Sequence, residues 1–296
     1  MGAKTKIDWC DSTWNPVTGC LHGCEYCYAR KIAKRFGGVN YEDELENRYG
    51  EYDVVRLHAE EDVHELDRPI ADFYSGKKAP YPWEFDPTFH RYRLDEPQSW
   101  KKPRNIFVCS MADLFGDWVP DEWIVEVFKA CEKAPQHRYL FLTKNPGRLV
   151  EMANAYTVRQ WNERHSDKRH PSTDEYNGVL ALPQHDNWWF GSSLDSADAQ
   201  RFNGGFGWNT FSSIEPLMED MQMGIGSFGS DRWIIIGAET GNRRNKVIPE
   251  RAWIDNIQEA AALTGVKVFM KESLRNLMGA DFRQELPWEV YRKCIA

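Results

Sequence analysis

The sequence predicts an α/β protein built on a parallel (β/α) barrel of TIM type, with six to eight strands. Three observations predict it. Short apolar runs recur along the chain and alternate with helix-length amphipathic stretches. The runs carry no polar face, as expected of parallel strands covered by helices on both sides. Each run then ends in small or polar residues, and in a barrel of this kind those C-terminal strand ends make one rim where chemistry is placed.

The chain is long enough for such a fold as a single domain over 1–296, because α/β barrels reach this size without splitting. Hydrophobic residues make up 42% and the 13 tryptophans help bring aromatics to 14%, which supports a large core and excludes a disordered chain. No run of apolar residues is long enough to span a bilayer, and the first residues lack an apolar signal region, so a cytoplasmic protein is expected. Seven cysteines in that compartment read as reduced thiols or metal ligands. The net charge is −8, and the stretch from Asn40 to Arg68, with 11 acidic and 3 basic residues, carries all of it. Nothing in the global charge suggests a nucleic-acid binder, although a local basic cleft stays open.

In chain order, Ser12–Gly19 reads as the first strand. Tyr28–Phe36 reads as a helix with Ala29, Ile32, Ala33 and Phe36 on one face, ended by Gly37-Gly38. An acidic and then Gly/Pro-rich insertion fills 40–84, read chiefly as a solvated face. Phe85–Leu94 is a second, weak strand, and Asp95–Trp100 starts a short helix. The grammar then becomes regular. Asn105–Cys109 precedes Ser110 and Asp113, and Asp121–Ala134 is an amphipathic helix with Cys131 on its core side. Arg138–Leu142 ends in Thr143-Lys144. Residues 154–187 form a second, polar insertion. Trp188–Phe190 ends in Gly191-Ser192-Ser193, and Thr210–Ile214 ends in Glu215. Trp233–Ile236 ends in Gly237-Ala238-Glu239, Pro249–Leu263 is a helix, and Val266–Met270 ends in Lys271.

One stretch stands apart from this pattern. Gly19–Ala29 places Cys20, Cys24 and Cys27 at Cys-x3-Cys-x2-Cys spacing, close enough to surround one metal centre. Three thiolates are one fewer than a closed zinc site or a closed cluster takes. From the residues alone the readings are an open iron–sulfur cluster, a zinc site closed by His22, or a disulfide with a spare thiol. Cys10, Cys109, Cys131 and Cys294 form no second close set.

The spacing resembles the signature of the radical S-adenosylmethionine (SAM) superfamily, with Tyr26 in the aromatic position before the last cysteine. That resemblance implies a [4Fe-4S] cluster on Cys20, Cys24 and Cys27, with SAM on the fourth iron. Further stretches resemble the phage Gp37/Gp68-like, three-Cys-motif family. They include Trp14–Cys20, Cys27–Ala29, Arg93–Pro97, Ile106–Phe115, Val119–Glu122, Ala134–His137, Leu142–Lys144, Ile214–Leu217 and Gly237–Gly241. They cover most of the chain outside the two insertions. The three-residue gap between Cys20 and Cys24 departs from common members, and the acidic insertion is long.

The resemblance implies reductive cleavage of SAM and hydrogen abstraction from a substrate. Candidate SAM-binding groups are the polar residues at strand ends: Ser110, Asp113, Lys144, Ser192, Glu215, Glu239 and Lys271. Tyr26, His22 and Trp14 are candidates to surround the cluster. Each strand-end residue is equally a helix cap or solvated side chain. Gly237-Ala238-Glu239 resembles the superfamily's SAM-ammonium motif in letters but comes late. Arg243-Arg244-Asn245-Lys246 with Trp188 and Trp189 would suit a phosphate backbone and a stacked base, making nucleic acid or a nucleotide one substrate class. A flavodoxin or ferredoxin would supply electrons. The competing functions are a non-catalytic barrel with a structural metal and an iron–sulfur electron carrier.

Overall fold

The computed structural model describes residues 5–37, 56–57, 63–71, 77–164, 185–201, 208–224 and 226–288. Most of the acidic stretch, residues 165–184 and Cys294 lie outside the described residues. The chain forms two compact units, one built on Ser12–Tyr139 and the other on Thr5–Asp11 with Leu140–Ala296.

The elements run β1 (Ser12–Trp14), β2 (Val17–Thr18), α1 (Tyr28–Phe36), β3 (Arg56–Leu57), β4 (His64–Leu66), β5 (Thr88–His90), β6 (Asn105–Val108), α2 (Asp121–Glu132), β7 (Arg138–Thr143), α3 (Pro146–Arg164), β8 (Trp188–Ser193), β9 (Thr210–Ile214), β10 (Asp231–Ile236), α4 (Arg251–Thr264), β11 (Lys267–Met270) and α5 (Arg275–Met278). Seven strands make one sheet in the order β1-β6-β7-β8-β9-β10-β11. The fold is therefore α/β with a parallel sheet, within the expected strand count.

Two expectations change. The run Ser12–Gly19 divides: β1 pairs in parallel with β6, whereas β2 leaves the large sheet and pairs antiparallel with β5. The run Phe85–Leu94 is strand only over Thr88–His90, and Arg91–Arg93 tightens into a 3-10 turn. β5 belongs to a small sheet ordered β2-β5-β4-β3, so it adds nothing to the parallel sheet. The reason lies at Pro16, whose carbonyl accepts the His90 amide at 2.7 Å, and at Trp14, whose indole donates to the Arg93 carbonyl at 2.8 Å. These bonds hold 88–93 beside the chain just before the cysteines.

The helices follow from their apolar spacing. α2 buries Trp123, Ile124, Val127, Phe128 and Cys131, each large side chain stabilising by roughly 1.5–3 kcal/mol. α4 buries Ile254, Ile257 and Ala261 against Ile234, Ile236, Val268 and Met270. It ends at Gly265 with φ 75°, a left-handed cap. α1 ends differently. Gly37 has an extended backbone, and a Cβ there would stand 2.6 Å from the Ala33 carbonyl oxygen and 2.9 Å from that of Tyr81. Glycine is needed at that position for close approach rather than for handedness. α1 also presents a different face from the expected one: Ala29 and Ala33 are buried, but Ile32 and Phe36 are exposed.

Candidate functional site

The cysteine loop is set by its neighbours before any metal is considered. Gly19 enters it with φ 88°, a conformation glycine adopts without strain. A Cβ there would lie 2.2 Å from the Asp86 carbonyl oxygen, so the loop is seated against 86–87 as closely as a backbone permits. The Gly19 amide donates to the Met111 carbonyl at 2.9 Å and the Cys20 amide to the Phe85 carbonyl at 3.1 Å. The Arg30 guanidinium lies 4.8 Å from the Phe85 ring centroid and donates to the Cys20 carbonyl at 3.0 Å. Cys27 caps α1, its sulfur accepting the Arg30 amide at 3.3 Å. One residue of the helix, Arg30, thus ties both ends of the loop, Cys20 through its guanidinium and Cys27 through its backbone amide.

The turn after β6 is built to receive the loop. Cys109 holds a positive φ of 57°, a strained conformation for a non-glycine residue. Asn15 Oδ1 accepts the Met111 amide at 3.0 Å and the Ser110 hydroxyl at 3.2 Å. The Ser110 carbonyl accepts the Tyr28 hydroxyl at 2.6 Å. Asp113 uses both oxygens locally: Oδ1 accepts the Phe115 amide at 3.0 Å, and Oδ2 meets His22 Nε2 at 2.8 Å. The His22 ring also packs edge-on to Trp118 at 4.9 Å.

Cys20, Cys24 and Cys27 are partly exposed and in no disulfide, against the disulfide reading. Burial pushes the Cys20 thiol up to about 12, and the negative charges of Asp113, Cys24 and Cys27 add to that, opposed by a backbone hydrogen bond at His22. Deprotonating all three would set like charges on one short loop, which a shared cation would relieve. Among the described residues no three His, Cys, Asp or Glu side chains are gathered around one point as a single ion requires. His22, the fourth donor of the zinc reading, has its Nε2 on Asp113. A cluster asks for a looser arrangement, because each thiolate meets a different iron. Three thiolates on one short loop are donors that either an iron–sulfur cluster or a zinc ion takes.

The other predicted site residues lie at strand ends, as expected, but mostly in pairs. Lys271, after β11, is ion-paired with Glu215, after β9. Gly237, after β10, packs against both: a Cβ would stand 3.0 Å from Lys271 Cδ and 3.2 Å from Glu215 Cγ. Glu239 is buried and grips Arg243 through two bonds, Oε1 to Nε at 2.7 Å and Oε2 to Nη2 at 2.8 Å. Lys144 donates to Asp195 at 2.6 Å. Ser192 is buried and Tyr26 half-buried. Trp188 and Trp189 are also buried, so neither indole offers a face on which a base could stack.

Three positioning residues escaped the sequence reading: Asn15, Arg30 and Gly19. Asn15 stands in the Trp14-Asn15-Pro16 stretch and Arg30 one turn after Cys27; their closeness to the cysteines was the available signal.

Residues 4–277 match the model of the family described as "Protein of unknown function (DUF5131)". No curated protein matches. Among solved structures, the chain is similar to a single-residue variant of spore photoproduct lyase, with TM-score 0.48 and 11% identity over 90% of this chain and 78% of that one. It is similar also to spore photoproduct lyase complexed with dinucleoside spore photoproduct, with TM-score 0.47 and 10% identity over 92% of this chain and 79% of that one. At such scores the likeness assigns neither chemistry nor substrate.

Proposed function

The chain belongs to the DUF5131 family, whose function is unknown, and for this member we propose a radical SAM enzyme with a [4Fe-4S] cluster on Cys20, Cys24 and Cys27. The observation that carries the reading is the loop itself. Three cysteines outside any disulfide share one short loop at Cys-x3-Cys-x2-Cys spacing. When bound with SAM, the cluster supplies the one-electron reductive cleavage that starts hydrogen abstraction.

The chain's own residues hold and orient. Arg30 and the Gly19 and Cys20 amides fix the loop, and the Asn15 carboxamide fixes the 110–111 turn against which it sits. Asp113 directs His22 beside it. Because Cys20 is a neutral thiol at neutral pH, loading must release its proton. Glu215, Lys271, Ser192, Lys144 and Glu239 remain our candidates for SAM and substrate contacts at the strand ends, the first two as a pair able to exchange partners.

For the substrate we favour nucleic acid or a nucleotide. Arg244 and Lys246 are exposed on the loop that Glu239 pins through Arg243. With Trp188 and Trp189 buried, this reading rests on phosphate contacts alone. A low-potential flavodoxin or ferredoxin is the proposed reductant. The cytoplasm is the proposed compartment, where thiols stay reduced. Among the described residues no helix is long and apolar enough to cross a membrane.

The test is anaerobic reconstitution with iron and sulfide, then dithionite and SAM, with 5′-deoxyadenosine measured by chromatography. The proposal expects the product from the wild type and none from Cys24→Ala. Iron-loaded wild type that leaves SAM intact across candidate substrates contradicts it.

A further inference from the structure

The loop after β10 is held in shape by one buried carboxylate, Glu239. Its Oε1 accepts Arg243 Nε at 2.7 Å. Its Oε2 accepts Arg243 Nη2 at 2.8 Å and the Val247 amide at 3.3 Å. A single side chain thereby closes both ends of the loop 243–247. Gly241 leads into it with φ 92°, a conformation glycine adopts without strain. A buried pair of this kind adds little net stability, because desolvation offsets the attraction. Its effect is to fix which side chains turn outward.

Those are Arg244, Asn245 and Lys246, all exposed. The next four cations in the chain, Arg251, Lys267, Lys271 and Arg275, are each paired with a carboxylate. Arg244 and Lys246 have no such partner among the described residues. Ile248 follows at 76% exposure, more than any other large hydrophobic side chain among the described residues. From Gly241 to Glu250 the only acidic residue is Glu250, at the N-terminal cap of α4.

Two cations and an amide on a pinned backbone suit a chain of anions, and Arg, Lys and Asn are groups that bind phosphate oxygens. An exposed aliphatic side chain beside them suits a groove, where apolar side chains reach base steps. A single strand would call for a stacking face instead. Residues 241–250 contain no aromatic side chain, and Trp188 and Trp189 are buried. We propose that the 243–248 loop grips a duplex nucleic acid. Arg244 and Lys246 hold backbone phosphates, Ile248 enters the groove, and Glu239 is the positioning residue that sets the loop's shape. Glu239 thereby moves from the contact candidates above to a residue that acts through Arg243 and Val247. This inference rests on the nucleic-acid reading above and narrows it to the duplex.

The test uses the full-length reconstituted protein and fluorescence anisotropy with a labelled oligonucleotide, as duplex and as single strand, over a salt series. The binding step involves no turnover. The variants are Arg244→Ala with Lys246→Ala, Ile248→Ser, Glu239→Ala and Glu239→Gln, each measured at a temperature where circular dichroism shows it folded. The wild type is expected to prefer the duplex. The double variant loses about tenfold in affinity, and its slope of log affinity against log salt flattens by about 2. Ile248→Ser weakens duplex binding and keeps the slope. Glu239→Ala removes a negative charge from the loop, so a merely electrostatic patch would bind more tightly. The positioning role predicts severalfold weaker binding, with Glu239→Gln between it and the wild type because one acceptor oxygen remains. Tighter binding by Glu239→Ala, or an unchanged salt slope in the double variant, overturns the proposal. A preference for the single strand overturns the duplex and leaves nucleic acid as the substrate class. Iron content and 5′-deoxyadenosine are measured on the same wild-type preparation. Wild type that cleaves SAM but binds no duplex overturns this inference alone. Wild type that binds the duplex but takes up no iron supports it and contradicts the cluster reading.

Discussion

The cysteine loop and the strand-end charges handle polar chemistry in opposite ways. Around the loop, backbone amides, Asn15 and Arg30 carry the positioning, and the sulfurs are left out of any disulfide. At the strand ends the charged groups hold one another: Glu215 with Lys271, Glu239 with Arg243, Lys144 with Asp195. A rigid loop with available donors suits a resident metal group. Paired charges suit a site whose groups must be stable before a ligand arrives and can change partner when it does.

The comparison breaks most easily at the sulfurs. Cys24→Ala is expected to abolish cluster uptake, read as iron and sulfide per chain, with little change in the apo protein's Tm because the thiol is partly exposed. At the strand ends the largest effect is on stability. Arg243→Ala removes the counter-charge of the buried Glu239 carboxylate, which keeps the Val247 amide, and should cost about 3 kcal/mol in urea unfolding. Glu239→Gln, which keeps one acceptor oxygen for Arg243 and removes the buried charge, should cost less. Gly19→Ala puts a Cβ against the Asp86 carbonyl at φ 88°. It should lose at least ~2 kcal/mol and reduce cluster uptake as well.

Asp231 sharpens the picture away from both regions. It is buried with Ser212 donating to Oδ2, and Oδ1 has no hydrogen-bond partner among the described residues. Burial pushes its carboxyl from 3.8 up to about 7, against the opposing pull of Ser212, Thr210 and Arg201. A raised folded value means this group's stabilisation is complete below pH ~4 and is lost as pH rises through about 7. Asp231→Asn should therefore match the wild type below pH ~4 and exceed it by roughly 4 kcal/mol near pH 8. A stability difference that does not change with pH contradicts the assignment. The smallest expected effect is Asn15→Ala, about 1 kcal/mol from two lost bonds to the 110–111 turn. Slower cluster loading should accompany it.

Much of this was legible where the signal is local. The cysteine spacing, the helix Tyr28–Phe36 and the apolar runs from Asn105 onward read directly, because caps and periodicity act over a few residues. The face of α1 did not read correctly. Periodicity grouped Ile32 and Phe36 with Ala29 and Ala33, but close packing against Phe85 and Met111 selects the small residues. Trp188 and Trp189 were expected on the rim because they precede Ser192. They lie in the aromatic core instead, Trp188 on Phe141 and Trp189 on Trp288. Two of the pairings at the strand ends, Glu215 with Lys271 and Lys144 with Asp195, join residues more than 50 apart in the chain, and residue type alone cannot supply them.

The central claim is an iron left open by three cysteines. Its most direct test is electron paramagnetic resonance of the anaerobically reconstituted, dithionite-reduced protein with and without SAM. The account predicts a [4Fe-4S]+ signal whose g-values shift when SAM is added and which is absent from Cys24→Ala. A cluster signal that SAM leaves unchanged, or a protein that binds zinc and takes up no iron, contradicts it.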